Sequence, residues 1–177
     1  MATALLVIDV QQALFEPHPR PGAAPQVLAR INALTARARA AGAPVIFIQH
    51  EDAEMICDTP GWALACELQV HDTDIRVRKT TPDSFHKTGL ADILAAHGVS
   101  HVVICGYATE FCIDTTTRRA ATLGYGVTLA ADAHTTHDKP HADAATIRAH
   151  HNATLPAMSS FGPKIVAQTC ADIPAFR

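Results

Sequence analysis

The stretch Val102-Val103-Ile104-Cys105-Gly106-Tyr107-Ala108-Thr109-Glu110-Phe111-Cys112 decides how this chain is read. Its apolar run, Val102 to Cys105, breaks at Gly106-Tyr107-Ala108-Thr109 and restarts as a helical pattern from Glu110 to Leu123, which predicts a strand, a tight turn and a helix. Cys112 falls in the first turn of that helix. Unpaired N–H groups and the positive end of the helix dipole favour negative charge there, so the thiol should lose its proton more easily than a free cysteine. The same position also suits a small apolar side chain tucked beneath the helix. Partner groups must decide between the two.

Two other strand ends offer partners. Ala4-Leu5-Leu6-Val7-Ile8 is a continuous apolar run closed by Asp9, the pattern of a strand buried on both faces. Ile75-Arg76-Val77-Arg78-Lys79 alternates apolar and basic residues before the turn Thr80-Thr81-Pro82-Asp83. Ligands of open parallel sheets sit beyond the carboxyl ends of the strands, and Asp9, Lys79 and Cys112 all fall at that level. Taken singly, Asp9 also suits a turn cap and Lys79 a solvated strand end.

The remaining pattern alternates strands and helices, which predicts an α/β fold with a three-layer, doubly wound, mainly parallel sheet in one domain over 1–177. A proline-rich loop spans 12–25. A helix over 24–41 carries Val27, Leu28, Ile31, Leu34 and Ala38 on one face and stops at Gly42. Strands follow at 45–48 and 125–131, helices at 88–97 and 139–152, and an edge strand at 164–168. Residues 50–74 form an irregular excursion around Pro60-Gly61-Trp62.

These residues resemble an isochorismatase-like cysteine hydrolase, the group that includes nicotinamidases and small amidases. The resemblance rests on Leu5 to Gln11, on Arg78-Lys79 with Ser84-Phe85, on Gly106 to Asp114 with Thr115 to Arg119, and on Ala130-Ala131-Asp132-Ala133-His134. It implies a Rossmann-like fold with Asp9 as the acid, Lys79 as its basic partner and Cys112 as the nucleophile. It also implies a cis peptide at Tyr107-Ala108 and an oxyanion hole made by the N–H groups of Ala108 and Cys112. The implied reaction is cleavage of a small amide through a thioester, without a cofactor. Lys79 and the helix terminus favour the thiolate while Asp9 opposes it, so the groups should titrate together. Enol-ether hydrolysis is one alternative, although the siderophore-pathway members that perform it lack the cysteine. A redox-sensing or interaction role is the other.

Composition bounds the rest. The chain has 177 residues, 48% of them hydrophobic, a net charge of −3 and few aromatic residues, which gives no basis for nucleic-acid binding. No run approaches the roughly 18 apolar residues of a spanning helix, and a strand rather than a charged leader opens the sequence. Five cysteines without even pairing or metal-ligand spacing fit a reducing cytoplasm. In nicotinamidases an Asp and several His after the second strand bind a divalent ion; Gln49-His50-Glu51-Asp52-Ala53-Glu54 does not match that spacing, so no metal is expected, with His50, Asp52 and His86 as the nearest candidates. His134, His137 and His141 are read as a polar loop. Pocket candidates are Gln11, Phe15, His50, Trp62, Phe85, Tyr107 and Phe111, and a homo-oligomer is expected.

Overall fold

The computed structural model describes residues 2–177. Its elements run β1 (Ala2–Ile8), α1 (Gln12–Phe15), α2 (Ala24–Ala40), β2 (Val45–His50), β3 (Ile75–Lys79), α3 (Leu90–Ala96), β4 (Val99–Tyr107), a π-helical turn (Thr109–Ile113), α4 (Asp114–Thr122), β5 (Gly126–Thr135), α5 (Ala144–Thr154) and β6 (Ile165–Gln168). The six strands form one sheet, ordered β3-β2-β1-β4-β5-β6, and every pairing is parallel. The chain winds outward from β1 in one direction and from β4 in the other. The crevice at which the winding reverses therefore lies between the carboxyl ends of β1 and β4.

Helices cover both faces, which explains the continuous apolar run in β1. Leu5 and Val7 pack with Val27, Leu28, Ile31, Leu34 and Ala38 of α2, whereas Ala4, Leu6 and Ile8 face Leu90, Leu94, Ile113, Ala120 and Leu155. Strand alternation sends successive side chains into the two halves of the core, and both halves exclude water. No helix among the described residues is long and apolar enough to cross a membrane.

Several boundaries differ from expectation for local reasons. The loop over 12–25 begins with the helical turn α1. The helix expected over 139–152 starts only at Ala144, because the Asp143 carboxylate caps it by accepting the Thr146 amide at 2.7 Å. β5 continues past Ala131 to Thr135, which places His134 in a strand and not in a polar loop. The segment after Ala108 is not α-helical at first: it makes one wide turn before α4 begins at Asp114.

Candidate active site

Close approach of β1 and β4 prepares the site. Gly106 has φ +119°, and a Cβ at that position would overlap the Ile8 carbonyl, so only glycine lets the two strand ends come together. Asp9 then leaves β1 with φ 51°, a left-handed conformation that aspartate tolerates better than most residues. Its amide is held by the Ile48 carbonyl at 2.8 Å. The polypeptide after β4 passes through a cis peptide between Tyr107 and Ala108 and enters the π-helical turn that carries Cys112. Wide turns of this kind recur at functional sites because they re-aim side chains.

Lys79 reaches the same point from two strands away. It ends β3, paired in register with His50 of β2, and its long side chain crosses beneath to the end of β1. Lys79 Nζ donates to Asp9 Oδ2 at 2.7 Å and lies 3.3 Å from Cys112 Sγ. It also approaches His50 Nδ1 at 3.4 Å. An ammonium has only donors, so Nδ1 is the accepting nitrogen and Nε2 carries the proton that faces Asp52 Oδ2 at 3.2 Å. The Lys79 and Asp9 side chains are 0% and 2% exposed. Asp9 Oδ1 is buried without a hydrogen-bond partner among the described residues.

Burial dominates the resting thiol. It pushes Cys112 up to about 12, the Asp9 charge adds to that, and Lys79 only partly offsets both. Position at a helix start therefore does not produce a standing thiolate. The sulfur is protonated at neutral pH. Burial likewise raises the Tyr107 phenol to about 12, and its hydroxyl pairs with His137 Nδ1 at 2.8 Å.

Backbone donors border the sulfur. The amides of Phe111 and Ile113 are bonded to the Ala108 carbonyl at 3.1 Å, while among the described residues those of Ala108 and Cys112 make no hydrogen bond to a carbonyl outside the π-helical turn. Beneath the turn, Thr109 Oγ1 pairs with His134 Nδ1 at 2.8 Å, and His134 Nε2 pairs with Asn152 Oδ1 at 2.9 Å. Burial lowers His134 to about 4, so this histidine is a neutral strut.

A cleft of about 530 Å³ opens above these groups. Asp9, His50, Tyr107, Ala108, Phe111 and Cys112 line it. Four pocket candidates do not. Gln11 is fully buried and clamps backbone, donating to the His50 and Trp62 carbonyls at 2.9 Å and accepting the His50 amide at 2.8 Å. Trp62 contributes that carbonyl but is not part of the wall. Phe15 is buried edge-on against Tyr107, and Phe85 stacks on Tyr125 with ring centroids 5.8 Å apart. Ser84, next to Phe85, ties the loop after β3 to α4 through Thr116 Oγ1 at 2.8 Å. Wall residues absent from the expectation are Ala13, Leu14, Asp52, Glu54, Met55 and Pro82. All of them follow the carboxyl ends of β1, β2 or β3, and that position was the available signal. Among the described residues no group of three or more His, Cys, Asp or Glu side chains is arranged to hold a metal.

An open parallel sheet with a Cys-Lys-Asp cluster at its winding reversal defines a class of α/β enzyme-like folds, and comparison narrows it. Residues 3–160 match the isochorismatase domain. Two streptothricin hydrolases of Streptomyces noursei are 42% and 39% identical to the chain over 140 residues, each match covering 77% of this chain and 51% and 56% of theirs. This chain thus spans about half the length of those relatives. A ureidoacrylate amidohydrolase of Caulobacter segnis is 28% identical over 171 residues, covering 74% of this chain and 71% of that one. The crystal structure of an isochorismatase family protein superposes with a TM-score of 0.85 at 35% identity, covering 94% and 98% of the two chains. The chain belongs to the isochorismatase family.

Proposed function

We propose that this protein hydrolyses a C–N bond of a small amide through a thioester on Cys112. The observation that carries the reading is one buried ammonium, Lys79 Nζ, 2.7 Å from a carboxylate and 3.3 Å from a thiol at the floor of a cleft. Relatives named as hydrolase and amidohydrolase support the same reaction type.

The steps follow from the charges. The Asp9 carboxylate takes the thiol proton as sulfur attacks the carbonyl carbon, and Lys79 balances the negative charge that remains between them. The carbonyl oxygen becomes an oxyanion, received by the amides of Ala108 and Cys112; a donor of this kind typically contributes about 100- to 1000-fold in rate. The C–N bond then breaks, and Asp9 returns the proton to the departing nitrogen. Water, deprotonated by Asp9, attacks the thioester, and the proton passes back to the sulfur as the acid leaves. Each turnover consumes one water and restores the starting charges.

Screening primary and secondary amides for ammonia or amine release, with mass spectrometry of the trapped thioester, tests the proposal. Cys112→Ala should lose turnover and the acyl adduct together. Asp9→Asn separates base from bystander. Removing its charge should lower the Cys112 pKa and speed alkylation at neutral pH, while turnover falls by orders of magnitude. Full hydrolysis by either variant would refute the scheme.

A further inference from the structure

His50 lines the cleft with both ring nitrogens engaged. Its backbone is fixed independently of the ring: the amide donates to Gln11 Oε1 at 2.8 Å, and the carbonyl accepts from Gln11 Nε2 at 2.9 Å. β3 sets Lys79 in register beside it. The imidazole itself makes two polar contacts among the described residues, to Lys79 Nζ at 3.4 Å and to Asp52 Oδ2 at 3.2 Å.

The contact with Lys79 completes a set. An ammonium carries three N–H donors. Lys79 Nζ meets three acceptors among the described residues, Asp9 Oδ2 at 2.7 Å, Cys112 Sγ at 3.3 Å and His50 Nδ1 at 3.4 Å. Its side chain is 0% exposed, so bulk water does not stand in for a lost acceptor, and a stranded buried donor is costly. An ammonium without Nδ1 has one open acceptor at hand, Asp9 Oδ1, which is buried with no partner among the described residues. A lysine that closes on both oxygens of one carboxylate turns away from the sulfur.

Asp52 decides which ring nitrogen accepts. The amides of Glu54 and Met55 hold its Oδ1 at 2.8 and 2.7 Å, which aims Oδ2 at His50 Nε2. A carboxylate only accepts, so the proton rests on Nε2 and the Nδ1 lone pair faces Lys79.

We propose that His50 is a positioning residue: as the third acceptor of the Lys79 ammonium, in a tautomer set by Asp52, it keeps that ammonium shared between Asp9 and the Cys112 sulfur. The use of this arrangement in acyl transfer rests on the hydrolase reading of the same site.

The test reads Lys79 through the sulfur, with or without an amide substrate. Iodoacetamide forms an S–C bond at Cys112 as iodide leaves, and its rate at one mildly alkaline pH follows the thiolate fraction. Peptide mass spectrometry isolates Cys112, since Cys57 and Cys66 also reach the surface. His50→Leu removes the acceptor, whereas His50→Asn keeps a carbonyl oxygen at the place of Nδ1. Labelling should slow about threefold to tenfold in His50→Leu and recover most of the loss in His50→Asn. Asp52→Asn keeps the oxygen that the Glu54 and Met55 amides hold but presents an N–H to Nε2, which moves the ring proton to Nδ1. It should slow labelling as His50→Leu does, and change nothing further in the His50→Asn background, where no tautomer exists. Single-turnover acylation, for any amide that the wild type hydrolyses, should fall about 10- to 100-fold in His50→Leu and Asp52→Asn. Wild-type labelling in His50→Leu overturns the proposal, as do equal losses in His50→Leu and His50→Asn, or an Asp52→Asn effect that is the same in both backgrounds. Amide turnover that ignores His50 overturns positioning and spares the hydrolase. The expected labelling pattern without turnover of any amide counts against the hydrolase and leaves the positioning role standing.

Discussion

Two ion pairs start one residue apart on β3 and share the same 2.7 Å separation, but they occupy different physical worlds. Lys79 and Asp9 form the floor of the cleft, with side chains 0% and 2% exposed. Arg78 and Glu51 stand at the surface, 58% and 21% exposed. Strand alternation alone puts them on opposite sides of β3. A buried pair holds two charges in place at high cost to either partner if the other is lost, whereas water screens an exposed pair and supplies substitutes. The floor is therefore held in place, as the proposed chemistry requires. The wall that carries Glu54 and Met55 comes from irregular chain that tolerates change, which suits selection of a ligand.

Lys79→Met breaks this comparison most severely. It strands the Asp9 carboxylate in a dry site and should cost about 3–5 kcal/mol in urea unfolding, with loss of turnover. Adding Asp9→Asn should recover much of the stability but none of the activity. A loss no larger than that of a surface substitution would show that water reaches the floor.

Acid should act next on the support beneath the π-helical turn. The unfolded chain takes up a proton on this histidine near pH 6.5, but burial holds folded His134 at about 4. Stability from this group is therefore complete above about pH 6.5 and declines as the pH falls toward 4, by on the order of 3 kcal/mol in total. Comparing wild type with His134→Gln by thermal unfolding across that window checks the assignment; equal acid sensitivity would remove His134 as the cause. Arg78→Ala should do least. Its unfolding midpoint should match wild type within measurement error, and a clear drop would mean that the exposed pair is part of the floor after all.

Much of this could be read along the chain because period and punctuation are local. The apolar run ending in Asp9, the alternation ending in Lys79 and the break at Gly106 each mark a strand end by themselves, and the α/β alternation orders them. Aromatic residues were the weak point. Phe15, Trp62 and Phe85 are apolar enough for a pocket wall or for the core, and nothing in the neighbouring sequence separates these fates. Gln11 misled for a related reason: a polar side chain beside a site suits a ligand contact, but here it satisfies the backbone of His50 and Trp62.

The thiol shows where local reasoning stops. A helix start lowers a cysteine pKa only if the sulfur stays wet, and burial beside Asp9 reverses the sign. By itself the sequence determined the strand ends at which Asp9, Lys79 and Cys112 fall, since those depend on residues a few positions apart, while the family resemblance supplied their candidate roles. Tertiary structure alone decided which side chains face the cleft, how dry each charge is and that the Lys79 ammonium lies between Asp9 and Cys112. Those quantities depend on contacts between residues distant in the chain, and solvation follows the packing of all of them together.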